Sequence, residues 1–211
     1  MKTAQQERSR QTASRLLEAA EELLAERGLD GASIPEIAKR AGVSAASIYR
    51  RFNDKDGLLR AVFERFFENT IKSNESALQP EQWRDLPLDK VVRTLVAGMI
   101  AGYSQRAGLL RAVITYAERH PSLALRRRAV ELRERSVEGI AQIILLHSKE
   151  IRHREPRKAV AFALQLVALA LRERILPEKV KDPTVSFTNE ELELEFSRLL
   201  LGYLRFGDRS R

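Results

Sequence analysis

The sequence predicts an all-α fold of about nine helices, on three observations. Apolar residues recur at three- and four-residue intervals along most of the 211-residue chain. No run of alternating β-branched residues marks a strand. Gly28, Gly42, Pro80, Pro87, Pro121, Pro156 and Pro177 fall between the periodic stretches, where a left-handed φ or a missing amide proton ends a helix.

Leu16, Ala20, Leu23 and Leu24 share one face of a first helix that should close at Arg27-Gly28. Ser33-Ile34-Pro35-Glu36 opens a second helix. The Ser33 hydroxyl is placed to cap it, Glu36 to reach back to the Ser33 amide as in a capping box, and Pro35 sits in the first turn, where no amide is needed. Ile37, Ala38 and Ala41 lead to Gly42. Ser44 should then cap a short third helix carrying Ile48 and Tyr49, and Asn53 or Asp54 starts a long fourth through Leu58, Leu59, Val62, Phe63 and Phe66. After a loop holding Trp83, helices are predicted at 88–105, 107–119 and 122–150. An apolar helix at 159–175, a loop over 177–188 and a last amphipathic helix complete the chain.

Composition narrows the function classes. There is no cysteine, which removes disulfides and thiolate chemistry. The polar first residues carry no signal-peptide core, and the apolar run 159–171, broken by Gln165, is shorter than the roughly 20 residues of a membrane span. A cytoplasmic protein without a membrane partner is expected. The net charge of +8 favours a polyanionic partner. Residues 33–55 contribute +3, from Lys39, Arg40, Arg50, Arg51 and Lys55 against Glu36 and Asp54; residues 126–158 contribute +5, from ten basic and five acidic side chains. Charge alone does not locate the partner. Arg8, Arg10 and Arg15 make the first segment basic enough to reach flanking phosphates or a minor groove, although a solvated, disordered tail is the commoner fate of such a stretch.

The stretch from Ser33 to Lys55 reads as two short helices joined by Ala41-Gly42-Val43-Ser44, the spacing of a helix-turn-helix. Small Ala38 and Ala41 permit close approach, and Ile37, Val43 and Ile48 form an apolar wedge that fixes the angle. The second helix is then presented to a major groove. A plain helical hairpin is the other reading of the spacing.

Ile37-Ala38-x-x-Ala41-Gly42-Val43-Ser44-x-x-x-Ile48-Tyr49-x-x-Phe52-x-x-Lys55-x-x-Leu58-Leu59 resembles the DNA-binding signature of the tetracycline-repressor (TetR) family. The resemblance covers about residues 10–62. It implies a three-helix DNA-binding domain, taken as 1–55, followed by a helical ligand-binding and dimerisation domain, 56–211. It also implies phosphate contacts from Tyr49 and Lys55, the latter aided by the positive N-terminal end of the fourth helix. Base contacts would come from Ala45, Ala46 and Ser47, with Arg50 on the next turn. Ser33, Ser44 and Arg51 complete the expected DNA-contacting set, with Ile34 packing against the DNA backbone. Arg50 suits either a guanine edge or a phosphate, and Arg51 either a contact or a solvated charge.

The family analogy further implies a homodimer on a palindromic operator and release by a small-molecule effector of unknown identity. Phe162, Gln165, Leu166 and Leu169, with Leu192, Phe196, Leu199 and Tyr203, would form a four-helix interface. Phe66, Trp83, Met99, Tyr103, Tyr116, Gln142 and Gln165 are candidate effector contacts; Gln165 could instead pair with its counterpart across the dimer. A repressor is the expected mode. The alternative is a non-specific DNA-organising protein acting through the basic stretch 126–158. No enzyme, cofactor or metal is expected: His120, His147 and His153 lack metal-ligand spacing and read as surface or loop histidines, and no nucleophile elbow or phosphate loop is present.

Overall fold

The computed structural model describes residues 2–120, 123–175 and 187–206. Among them there are nine α-helices and no strand: α1 (Lys2–Gly31), α2 (Ile34–Ala41), α3 (Ala45–Phe52), α4 (Lys55–Ala77), α5 (Leu88–Gln105), α6 (Ala107–Arg119), α7 (Leu123–Leu145), α8 (Pro156–Ile175) and α9 (Asn189–Arg205). Single 3-10 turns lie at Pro80–Gln82 and Ser148–Glu150. The predicted order is reproduced, with local differences. The first helix begins at Lys2, so the basic segment expected as a tail is helical. It breaks at Gly28, whose φ of 68° interrupts a helix that resumes to Gly31. The helix predicted over 122–150 ends at Leu145, and one 3-10 turn follows it. Nearly all of the loop predicted at 177–188 lies outside the described residues.

Two compact units divide the chain, Met1–Asn69 with Arg106–Arg126, and Thr70–Gln105 with Arg127–Arg211. The unit holding the helix-turn-helix therefore also contains residues 56–69 and 106–126, beyond the boundary expected at residue 55. In it, α1 packs against α6 and α2, and α2 against α3. Leu16, Leu23, Leu24, Ile37, Ile48 and Phe63 are fully buried, which is where the helical periodicity had placed them. Gly108, in the first turn of α6, lets that helix meet α1 backbone to backbone. A Cβ at this position would stand 2.1 Å from the Ala25 carbonyl oxygen.

Tyr116 of α6 is buried. Its hydroxyl donates to Asp56, its ring meets Phe63 edge-on with centroids 5.1 Å apart, and His120 stacks on it at 4.7 Å. Burial first, and Asp56 second, push its phenol up to about 12. Because the folded state favours the neutral phenol, its stabilisation is complete below the ordinary value of about 10 and is lost as pH rises through the folded value. Tyr116→Phe should thus flatten the fall in urea midpoint between about pH 10 and 12; equal slopes for both proteins would show that another group governs alkaline unfolding.

In the second unit α5 packs against α9 and α8, and α8 against α9. Val91, Val92, Leu95, Leu164, Leu171 and Leu200 lie at the heart of its core. Trp83 covers the end of α4, and its indole N–H donates to the Ala77 carbonyl at 3.0 Å, satisfying one of the carbonyls a helix end leaves open. The Thr188 hydroxyl accepts from the Glu191 amide (3.1 Å) while Glu191 accepts from the Thr188 amide (2.7 Å), a capping box that starts α9.

Candidate nucleic-acid interface

Local chemistry explains how α3 is held. The Ser33 hydroxyl accepts from the Glu36 amide at 3.4 Å to start α2, as expected. The Glu36 carboxylate also accepts from the Ser33 hydroxyl (3.0 Å) and from Arg27, so it braces α2 against α1. The Ser33 hydrogen bond first, and Arg27 after it, hold the Glu36 carboxyl below the usual carboxylate range. Arg40 adds a two-pronged bond to Glu26 of α1 at 2.9 and 2.8 Å. No local pattern pairs Arg27 with Glu36 or Arg40 with Glu26, and the sequence reading missed both.

Gly42 closes α2 in the left-handed region (φ 66°, ψ 40°), and the Val43 amide returns to the Ala38 carbonyl at 3.0 Å. This is the backbone geometry that glycine adopts without the Cβ penalty of other residues. Ser44 starts α3, but its hydroxyl makes no bond to the helix backbone; it lies 3.0 Å from the Ser47 hydroxyl instead, so the expected side-chain cap is absent. At the far end, the two residues left open by the sequence divide the work. Asn53 ends α3 with a φ of 66°, and the Asp54 carboxylate accepts from the Gly57 amide at 2.7 Å to start α4.

With Ile48 buried as the wedge, Ala46, Tyr49 and Arg50 share an outward face at i, i+3 and i+4 spacing. Tyr49 is 52% exposed. Ala45 and Ser47 flank this stripe, half-buried, and Ser44 is exposed at its start. Ser33 is half-buried in its cap, and Ile34 is buried in the protein rather than available to DNA. Lys55 is also half-buried, and its ammonium donates to the Leu29 carbonyl at 3.3 Å, which places it at the junction of α1 and α4. Arg51 is exposed but donates to Ser9 of α1 at 2.9 Å.

The other expected positions separate. Gln142 and Gln165 are exposed. Phe66 and Tyr116 belong to the first unit, whereas Trp83, Met99 and Tyr103 belong to the second, so the effector candidates do not gather in one unit. Tyr116, Asp56, Arg60, Glu64, Arg119 and His120 line a cavity of about 460 Å³ in the first unit. His147 lies in the turn after α7, one of the two placements expected, but its side chain is only 8% exposed and, among the described residues, its Nε2 is buried without a partner. Within the basic stretch 126–158, Arg128 and Arg135 pair with Glu131 and Lys158 with Glu155, which neutralises part of the charge locally. Among the described residues no helix is long and apolar enough to cross a membrane, and no group of three or more acidic, His or Cys side chains could hold a metal.

A short helix presented at a glycine-closed turn, braced from behind by charged side chains, defines this chain as a helix-turn-helix protein. Residues 16–62 match the model of the bacterial regulatory proteins of the tetR family. YvdT of Bacillus subtilis, an HTH-type transcriptional regulator, is 34% identical over 68 residues, 32% of this chain and 35% of YvdT. SrpR of Pseudomonas putida, also an HTH-type transcriptional regulator, is 26% identical over 135 residues, 64% of this chain and 60% of SrpR. The chain thus spans between about a third and three fifths of the length of these relatives. A TetR-family regulator from Mesorhizobium loti shares the fold, with a TM-score of 0.70 over 93% of this chain and 96% of that one at 23% identity. Residues 16–62 are thus similar to the DNA-binding part of the tetR-family regulators, and the chain shares the all-helical fold of the Mesorhizobium loti protein.

Proposed function

We propose that the protein is a sequence-specific transcriptional repressor that binds a palindromic DNA operator as a homodimer and is released by a small-molecule effector. The observation that carries the reading is the outward stripe of α3. A tyrosine hydroxyl, a guanidinium and a small methyl group on one helix face suit entry into a major groove, where arginine can pair with guanine and alanine can touch a thymine methyl. In this reading residues 1–55 form the DNA-reading head and residues 56–211 serve effector binding and dimerisation.

One short helix reads few base pairs, so specificity calls for two heads. The outer face of α8 supports this, because Phe162, Leu166 and Leu169 are 57, 44 and 59% exposed in line with Gln165. On α9, Leu199 is exposed, Tyr203 is half-buried and its ring approaches Phe162 at 5.9 Å. Leu192 faces the other way, into the protomer core, and Phe196 is half-buried against it. The interface therefore draws on the exposed members of the two helices. Met99 and Tyr103, half-buried on α5, are the residues we assign to effector contact.

Selection of bound fragments from a random double-stranded DNA pool tests the reading. Enrichment of a palindrome is expected, whereas binding without enrichment would point to sequence-independent contact. On the selected operator, Arg50→Ala should relax preference at one base pair of each half-site, at a cost of roughly 1–3 kcal/mol. A uniform loss across all sequences would reassign Arg50 to a phosphate.

A further inference from the structure

The first turns of α1 extend beyond the part of that helix held by the core, whose first fully buried residue is Leu16. Free helix ends fray, because their early amides lack partners and few contacts hold them. Among the described residues a hydrogen bond ties these turns to α3. The Arg51 guanidinium donates to the Ser9 hydroxyl at 2.9 Å, across 42 positions of sequence. Arg51 follows Arg50 on α3, one helical step from the outward stripe. Ser9 in turn is adjacent to Arg8, and Arg8 and Arg15, seven residues apart, fall on one exposed flank of α1. Glu22 and Glu26 continue that flank and pair with Arg40 of α2, so the two arginines lie on the α2 side of the helix.

Resting on the DNA-binding reading above, we propose that Arg51 is a positioning residue. By holding Ser9 it docks the first turns of α1 beside the recognition helix, so that Arg8 and Arg15 extend the contact onto backbone phosphates outside the bases read by α3. Charge complementarity and continuity with the α3 surface identify the occupant as the flanking DNA duplex. Arg51 itself spends its directed hydrogen bond on the protein.

The test uses the full chain and two duplexes of the selected operator, one ending at the outer edges of the half-sites and one extended by about 10 base pairs, one helical turn, on each side. Affinity is measured against salt. Arg8→Ala/Arg15→Ala should lower the salt slope by about 3.6 units on the extended duplex, two phosphates from each protomer of the dimer at about 0.9 apiece, and leave the short one unchanged. Ser9→Ala keeps every charge, so it isolates the positioning role. It should weaken binding of the dimer to the extended duplex about tenfold to twenty-five-fold, the scale of one net hydrogen bond in each protomer, with the short duplex bound as by the wild type. Arg51→Ala should lose the same flank-dependent factor, and the double variant with Ser9→Ala should lose it once rather than twice.

Wild-type behaviour of Ser9→Ala on both duplexes overturns the positioning role. An unchanged slope for Arg8→Ala/Arg15→Ala on the extended duplex overturns the phosphate contacts. Equal losses on the two duplexes show that these residues act through α3 itself and also overturn the proposal. A wild-type protein that prefers neither duplex over scrambled DNA instead removes the sequence-specific reading on which the proposal stands.

Discussion

Leu166→Glu should yield a folded monomer whose affinity for a palindromic operator has fallen by at least about a hundredfold, with binding to a single half-site unchanged. The size follows from linking two heads, which raises avidity by about 10²–10⁴ over one head alone. Folding should survive, because Leu166 is already 44% exposed in the protomer and its replacement removes little core packing. In the proposed dimer the defect would arise at the partner surface, where two glutamates brought together by a twofold axis would lose water and repel each other. Leu164→Glu is the contrasting variant: two positions away but buried in the α5–α8–α9 core, it should unfold the protein rather than dissociate it. Sedimentation and half-site binding separate the two cases. A Leu166→Glu protein that stays dimeric and keeps operator affinity would remove the outer face of α8 from the interface.

Gly108→Ala should destabilise the first unit by roughly 1–3 kcal/mol, the range of overpacking at a site that cannot give way. The added Cβ would meet the carbonyl oxygen, the carbonyl carbon and the Cα of Ala25 at 2.1, 2.8 and 2.9 Å, all of them backbone. Relief requires α6 to back away from α1, which loosens the packing of the buried Leu109, Ala112 and Val113 below it. Gly98→Ala is the internal control. Gly98 lies within α5 with nothing inside 4 Å of its added Cβ, so alanine there should stabilise by about 0.5–1 kcal/mol through helix propensity. Urea unfolding at fixed protein concentration should therefore move in opposite directions for two substitutions that are identical on paper. Equal effects would mean that α1 and α6 do not meet at Gly108.

Short-range regularities carry the elements and the motif. The three- and four-residue periods place Leu16, Leu23, Leu24, Ile37 and Ile48 in the core, and Gly42 closes α2 because few residues other than glycine take its left-handed φ cheaply. The spacing from Ile37 to Leu59 was enough to identify the head, since a helix-turn-helix is built almost entirely from neighbours in sequence.

What the sequence by itself determined is the all-α class, the helix order and the turn, all of which depend on interactions spanning a few residues. The tertiary structure decided which polar groups around the site are engaged. Lys55 meets Leu29 across 26 positions, Arg51 meets Ser9 across 42, and Tyr116 meets Asp56 across 60. It also sorted α8, apolar nearly all round, into a buried side at Leu164 and Val167 and an outer side at Leu166 and Leu169. The physical reason is that hydropathy records how much a side chain gains by leaving water but not which surface covers it. A hydrogen bond between distant residues leaves no period along the chain; it exists only once packing has brought its two ends within about 3 Å.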